Sequence, residues 1–343
     1  MTGGPPACPG SSCRCNLTPV SRKKRRQLLI AAGALFAAPL ARAQQAQPSG
    51  KKPVIGFLIL ANPEPVFSLF KAEMQKLGYF DGKNIQIEFR SAEGKAERLA
   101  GLAAELVRLK VDVLVAVQTP AVTAAKQATS QIPIVMAGAG DPVATGLVAS
   151  LARPGGNITG ASGISAEISG KILELIREIM PSAKRVAVLA NAADPFTKPF
   201  LEQIQLGGQR LSLEISPIMI RETSELNAAF PDMVKRRTDA VIVQPSLQRG
   251  AAAELALAHR IPAVSPTGQF TGEGGLLSYA ANLADLQRVS ADYVDRILKG
   301  AKPADLPVQQ ASRFDLAVNL KTAKALGITI PRSVLLRTDK VIE

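Results

Sequence analysis

The chain has 343 residues, of which 47% are hydrophobic, and its formal net charge at pH 7 is +13. Seven of its 41 basic residues and none of its 28 acidic residues lie within residues 1–43, so the rest of the chain has a net charge of only +6. All three cysteines lie in the same segment, which excludes a disulfide framework and a cysteine-bound metal from residues 44–343. The positive charge of the whole chain therefore does not indicate a nucleic-acid-binding protein.

The first element in chain order is an export signal. A basic cluster at residues 21–26 precedes an apolar stretch at residues 28–40 and the sequence Ala41-Arg42-Ala43. This order is typical of a cleaved signal peptide, and the apolar stretch is too short to span a membrane as a helix. We predict cleavage after Ala43, a linker at residues 44–52 and a periplasmic location. The Arg25-Arg26 pair leaves the general and the twin-arginine export routes both open.

Strand and helix patterns alternate through residues 53–136. Continuous apolar runs are typical of strands that are covered on both faces, and repeated strand-helix units predict a parallel sheet with right-handed crossovers. The candidate strands are residues 54–60, 85–89, 111–117 and 132–136, and the helical patterns between them are residues 67–77, 95–109 and 121–129.

A Pro- and Gly-rich segment at residues 151–157 interrupts the alternation, and a second strand-helix set extends to residue 264. We assign a strand at residues 276–279 and a helix at residues 283–298 back to the first half. The chain is therefore predicted to fold as two α/β lobes joined by several crossings, with a cleft that can hinge shut. Lobe 1 is predicted at residues 53–160 plus 278–308, and lobe 2 at residues 161–277 plus 309–343.

Polar residues directly follow the candidate strands. In open parallel sheets, ligands collect at the carboxyl ends of strands, where free helix N-terminal amides favour a carboxylate and an aspartate favours an ammonium. The same residue types are ordinary helix N-caps, so capping is the competing interpretation of each. The candidate ligand-binding residues are Asn62, Gln118, Thr119, Pro120, Ala121, Asp141, Pro142, Asn191, Ala192, Gln244, Thr267 and Tyr279. Aromatic residues are scarce, although Phe67, Phe196 and Tyr279 could flank an aromatic ring.

Patterns typical of enzymes are scarce as well. The single histidine, His259, lies at a predicted helix end, and no Gly-x-Ser-x-Gly elbow or Walker loop occurs. The glycines at residues 138–140 lack the third glycine of a dinucleotide fingerprint, where Val143 stands. We therefore expect no catalytic residue, cofactor, metal or nucleic-acid partner. The alternative is a secreted α/β enzyme that uses an acid pair, Glu64 with Asp141 or Asp194.

Five parts of the chain together carry a resemblance to a known family. They are residues 112–115 with 119–121, residues 132–135 with 141–142, and residues 146–160, 297–303 and 319–331. These segments resemble the periplasmic substrate-binding proteins of ABC transporters, in the tryptophan/tyrosine-type branch. The resemblance covers almost all of residues 53–343 and implies a type I periplasmic binding fold, with two Rossmann-like lobes, parallel sheets and a multi-segment hinge.

By the same resemblance, the ligand would contact Thr119, Ala121 and Asp141 on one lobe and Asn191 on the other. Family members that bind aromatic amino acids imply an amino acid or an aromatic acid as the solute. This chain departs from the family pattern at residues 62–65, where an acidic or histidine-containing ligand loop is expected.

The expected function is capture of a small polar solute between the lobes and its delivery to a membrane permease that a cytoplasmic ATPase drives. We expect the protein to act as a monomer. One alternative is a ligand sensor that presents its closed form to a receptor, which neighbouring permease and ATPase genes would argue against. The other is the secreted enzyme, which turnover of a solute would favour over binding without turnover.

Overall fold

The computed structural model describes residues 52–343, apart from residue 165 and the side chains of residues 164–167. The predicted signal peptide and residues 44–51 of the predicted linker lie outside the described residues. Within the described part, no helix combines the length and the apolar composition that crossing a membrane requires.

The first lobe is built on a six-stranded sheet in the order β11-β5-β4-β3-β1-β2, in which all neighbouring strands are parallel. Its strands are β1 (Val54–Ile59), β2 (Gln86–Ser91), β3 (Val113–Val117), β4 (Ile134–Gly140), β5 (Ile158–Ile164) and β11 (Gln309–Gln310). Its helices are α1 (Val66–Lys76), α2 (Leu99–Arg108), α3 (Gln118–Ala128) and α8 (Leu283–Leu298).

Helices cover both faces of this sheet, which explains the unbroken apolar sequence of its strands. Successive residues of β1 point to opposite faces: Phe57 packs with Phe70 of α1 and Val294 of α8, whereas Leu58 packs with Leu106 of α2. Each face therefore has its own buried core.

The second lobe is built on a seven-stranded sheet in the order β13-β12-β10-β9-β8-β6-β7, parallel except for the antiparallel pair β10 and β12. Its strands are β6 (Arg185–Asn191), β7 (Glu214–Ile220), β8 (Ala240–Val243), β9 (Ala263–Ser265), β10 (Leu277–Ala281), β12 (Phe314–Asn319) and β13 (Lys340–Ile342). Its helices are α4 (Ala166–Ile179), α5 (Thr197–Arg210), α6 (Leu226–Lys235), α7 (Arg249–Ala258), α9 (Leu320–Leu326) and α10 (Arg332–Leu335). Val188 and Leu189 of β6 face the two separate cores of this lobe.

The segments of the two lobes differ from the predicted ones by a few residues. Strand β10, which we assigned to lobe 1, pairs with β9 and β12 in the second sheet, because the chain crosses only after Ala281. Strand β5 extends in the first sheet to Ile164, past the predicted boundary at residue 160, and β11 pairs with β5. The chain passes between the two lobes three times, between β5 and α4, between β10 and α8, and between β11 and β12. The predicted fold of two α/β lobes is confirmed.

Candidate functional site

A cleft lies between the two lobes and encloses about 710 Å³, part of which is open to solvent. Lobe 1 contributes the carboxyl ends of β3, β4 and β5 and the first turns of α8, and lobe 2 contributes β10 and the loops after β6, β8 and β9. This is the position where ligands bind in open α/β sheets. The cleft therefore lies at the strand ends that carry the candidate ligand-binding residues.

The walls of the cleft are mostly apolar. Val66, Val117, Leu283, Leu286 and Phe196 line it together with several glycines and alanines. Among the described residues that line the cleft, Asp194 is the only one with an ionisable side chain, so a charged solute would meet a single, negative side-chain charge. Such a lining suits a solute with an apolar body and a cationic group.

Asp194 is held by hydrogen bonds to both of its carboxylate oxygens. Its Oδ1 accepts from the backbone N–H of Phe196 at 2.9 Å, and its Oδ2 accepts from Ser246 Oγ at 2.6 Å and from Gln244 Nε2 at 3.0 Å. Because these three donors come from the loops after both β6 and β8, they hold the carboxylate of Asp194 in one orientation.

Gln244 connects this carboxylate to the strand beneath it. The residue is fully buried, and its Oε1 accepts hydrogen bonds from the Asn191 amide at 2.7 Å and from Thr197 Oγ1 at 2.9 Å. The glutamine amide is therefore oriented so that Nε2 faces Asp194. Asn191 also donates from Nδ2 to the Ser246 carbonyl at 3.3 Å, so the network links two neighbouring strand ends.

The environment of Asp194 alters its ionisation. The residue is only 6% exposed, and this burial raises the pKa of its carboxyl above the ordinary value. The hydrogen bonds from Ser246 and from the Phe196 amide offset part of the increase. A cation in the cleft would stabilise the ionised form directly, because an opposite charge compensates for lost hydration.

The N-terminus of α3 lines the opposite side of the cleft, on lobe 1. Helix α3 begins directly at the end of β3, and its first residue, Gln118, has a left-handed backbone with φ of 68°. Thr119 Oγ1 accepts a hydrogen bond from the Gly140 amide at 3.0 Å, which ties α3 to the end of β4. Because helix N-termini carry partial positive charge, this end of the cleft favours an anionic group.

The lobes are in direct contact around the cleft. The ring of Phe196 from lobe 2 packs against the backbone of Gly140, where a Cβ atom would lie 2.7 Å from the ring. The side chain of Gln248 from lobe 2 lies against Gly94 of lobe 1 in the same way. The Phe196 ring leaves no room for a side chain at residue 140, whereas the flexible Gln248 side chain can shift, and both approaches bring the lobes into contact beside the cleft.

Three of the residues predicted to bind ligand line the cleft, namely Gln118, Thr119 and Thr267. Gln244 and Asn191 are buried behind Asp194 and orient it, and Asn191 also lines a separate cavity beside residues 94–97 and 220–224. These five residues lie at the edge of the sheets that borders the cleft, and contact of any of them with a ligand remains a prediction.

The other predicted residues lie outside the lining. Pro120 and Ala121 are buried in the first turn of α3, Asn62 and Ala192 are exposed, Pro142 is buried beyond β4, and Tyr279 stacks on Phe314. The Asp141 carboxylate accepts a hydrogen bond from the Ala144 amide at 3.0 Å. Ligand contact by these residues remains a prediction.

The acid pair considered for an enzyme is not assembled in the cleft. Glu64 is exposed and accepts a hydrogen bond from Ser68, and neither Glu64 nor Asp141 lines the cleft with Asp194. As far as residues 52–343 are described, no group of three or more His, Cys, Asp or Glu residues is arranged to hold a metal ion.

The sequence-based set of candidate ligand-binding residues did not include Phe196, Asp194, Ser246 or Gln287, although Phe196 was named as a residue that could flank an aromatic ring and Asp194 as a member of an acid pair. Ser246 and Asp194 stand two or more residues beyond their strand ends, in loops that were recognised. Gln287 stands on the buried face of an amphipathic helix. A polar residue among apolar ones at helical spacing is the signal that could have identified it.

Comparison with known proteins gives concordant results. A family model described as ABC transporter substrate binding protein matches residues 67–342. A curated protein named tyrosine-binding protein, from Clostridioides difficile strain R20291, is 29% identical over 265 residues, which cover 76% of this chain and 75% of that protein.

Solved structures are similar along the same region. An ABC domain in complex with L-Trp from Streptococcus pneumonia is 28% identical, with a TM-score of 0.77 over 85% of this chain and all of that chain. The ligand-free, open structure of a substrate binding protein with adhesive properties from Clostridium difficile is 26% identical, with a TM-score of 0.60 over 84% of this chain and 99% of that chain. These similarities confirm the type I periplasmic binding fold.

Proposed function

This chain belongs to the family of ABC transporter substrate-binding proteins, and from that premise we propose that it captures an amino acid in the inter-lobe cleft and delivers it to a membrane permease. The observation that carries the choice of solute is Asp194, a buried carboxylate that is the single ionisable group of the lining. The printed names of relatives support the same class, because they describe proteins that bind tyrosine and L-Trp.

Asp194 is proposed to bind the α-ammonium group of the solute. Its oxygens are already oriented by Ser246, Gln244 and the Phe196 amide, so binding requires little rearrangement of the carboxylate. The ammonium would replace lost hydration with a charge-assisted hydrogen bond, which is stronger than a neutral one.

The α-carboxylate of the solute is proposed to bind at the N-terminus of α3. Gln118 and Thr119 line the cleft there, and no Lys, Arg or His occurs among the described lining residues. Backbone amides and the helix dipole are therefore the groups available to hold an anion. The apolar walls would then receive the side chain of the amino acid.

Closure is proposed to accompany capture. Asp194 belongs to lobe 2 and the N-terminus of α3 to lobe 1, so a zwitterion gains both contacts only when the lobes are together. A ligand shifts a conformational equilibrium by its difference in affinity for the two states. The closed form would then dock on the permease, which a cytoplasmic ATPase drives, and the protein would act as a monomer in the periplasm after removal of residues 1–43.

A thermal-shift screen of the purified protein against the L-amino acids tests this proposal. A solute at about 100 times its Kd stabilises the folded state by about 2.7 kcal/mol, so the Tm should rise by about 5 °C or more. Matched analogues of a bound amino acid that lack the ammonium or the carboxylate should produce smaller rises. If no L-amino acid raises the Tm, the proposed solute class is incorrect.

A further inference from the structure

Gln287 is a buried polar residue whose hydrogen bonding is incomplete. It lies in the second turn of α8, lines the cleft and is 1% exposed. Its Oε1 has no hydrogen-bond partner among the described residues. Buried side-chain oxygens are nearly always bonded, because leaving one unpaired costs the hydration that it had in the unfolded chain.

The other buried polar residues that line the cleft are paired, whereas Thr271 and Ser278, which lie beyond the lining, each have an unpaired hydroxyl. Ser246 donates to Asp194, and Thr119 accepts from the Gly140 amide. Gln244, which is buried behind Asp194, bonds through both ends of its amide. Gln287 is therefore the described lining residue that has an unpaired buried atom, and a solute in the cleft is a candidate partner for it.

The lining near Gln287 offers no side-chain donor. Helix α8 contributes Leu283 and Leu286 to the cleft, and β10 contributes Ala280 and Ala281. Because these side chains are apolar, they can surround the hydrocarbon part of a solute but cannot satisfy Oε1. Gln287 therefore stands beside apolar lining residues of its own helix and of β10.

We propose that Gln287 is a specificity-determining residue that accepts a hydrogen bond from the side chain of the bound amino acid. The solute is then an amino acid whose apolar side chain carries a donor, such as a phenol hydroxyl or an indole N–H. Gln287 belongs to lobe 1 and Asp194 to lobe 2, so one such solute would bond to both lobes. This inference rests on the proposed function, since it requires an amino acid in the cleft.

Gln287 would discriminate between a solute that carries a hydrogen-bond donor and an analogue without one, because a buried amide without a partner costs free energy. A site that hydrogen-bonds a solute hydroxyl or N–H rejects the analogue that lacks it, because the buried partner then remains without a bond. We expect the matched solute to bind about tenfold or more tightly than the analogue. An apolar pocket without Gln287 would instead bind the two nearly equally.

The test measures Kd by isothermal titration calorimetry for matched pairs of probes, on the wild type and on Gln287→Met. The pairs are L-tyrosine with L-phenylalanine, L-tryptophan with 1-methyl-L-tryptophan, and L-homoserine with L-norvaline. In each pair that binds, the wild type should prefer the first member, and Gln287→Met should reduce the preference to about twofold or less. Ser290→Ala is the control, because Ser290 is a buried polar residue of the same helix that bonds to Leu286 and does not line the cleft.

A purely structural role of Gln287 would give other results. The Tm of ligand-free Gln287→Met should not fall below that of the wild type, since the variant removes an unpaired buried group. Equal binding of both members by the wild type, or an unchanged preference in Gln287→Met, would overturn the inference while leaving the proposed function intact. Absence of binding by every L-amino acid would overturn both.

Discussion

Asp194 is buried, and its carboxylate also accepts several hydrogen bonds. Burial and hydrogen bonding have opposite effects on the pKa of this carboxyl. Burial is the larger effect and raises the pKa of the carboxyl, whereas Ser246 and the Phe196 amide stabilise the charged form. In the ligand-free protein, the hydrogen bonds therefore compensate only part of the desolvation of the ionised carboxylate. A cationic group of the solute would compensate for the remaining loss of hydration, and the proposed choice of solute rests on this property of Asp194.

The raised pKa predicts how stability depends on pH. A carboxyl with a folded-state pKa above its unfolded value adds stability below the unfolded pKa, and this contribution is lost as pH rises through the folded pKa. Asp194→Asn lacks this dependence. The Tm of the ligand-free variant relative to the wild type should therefore increase between about pH 4 and pH 7. Calorimetric melting of both proteins across that range checks the prediction, and a Tm difference that is constant with pH would contradict it.

Some residues of the candidate site could be predicted from the sequence, and others could not. Gln118 and Thr119 were predicted because each directly follows a strand, and their position depends only on the local strand-helix pattern. Asp194 and Gln287 depend on which groups the two lobes bring to the same space. The local sequence places Asp194 in a loop after a strand and Gln287 on the buried face of a helix, but only the structure shows that both line one cleft.

At the level of elements, strand β4 of lobe 1 and the start of α5 in lobe 2 meet through Gly140 and Phe196. A Cβ atom at Gly140 would lie 2.7 Å from the ring of Phe196, too close unless the lobes separate. The backbone of Gly140 is not left-handed, so alanine can adopt it without strain. The absent side chain at residue 140 therefore matters for closure and not for the fold of lobe 1.

Gly140→Ala should weaken solute binding about tenfold, because overpacking at this contact disfavours the closed state. The Tm of the ligand-free variant should stay near that of the wild type, since open lobes leave room for the methyl group. Gly156→Ala is the matched control, as no atom lies within 4 Å of its Cβ position. Titration calorimetry with a solute from the thermal-shift screen measures the effect. Wild-type affinity in Gly140→Ala would show that the contact does not limit closure.

The order of the elements was largely predictable from the sequence, and their assignment to a lobe was less so. The apolar runs of β1, β3 and β4 identify strands covered on both faces. Strand β10 was assigned to the wrong sheet, because its sequence suits either one and its partners β9 and β12 lie elsewhere in the chain. The lobe to which a strand belongs is therefore determined by the strands that it pairs with, and its amino-acid composition does not reveal these partners.

The candidate site is formed by residues of both lobes together. The charged group of the cleft belongs to lobe 2, whereas the N-terminus of α3 and Gln287 belong to lobe 1. Three chain crossings connect the lobes, and each lobe has its own buried cores, so separation of the lobes would leave these cores intact. In the proposed function, binding and closure are therefore coupled through the solute.

The most direct test of this account is calorimetric titration of the wild type, Asp194→Asn and Asp141→Asn with an L-amino acid that raises the Tm. We predict one solute per chain for the wild type and a loss of about 2–5 kcal/mol, roughly 30-fold or more in Kd, for Asp194→Asn. Asp141→Asn provides the comparison, because that carboxylate was predicted from the sequence but lies outside the lining. Asp194→Asn that binds the solute as tightly as the wild type, or a loss of affinity confined to Asp141→Asn, would contradict the proposed binding of the solute ammonium by Asp194.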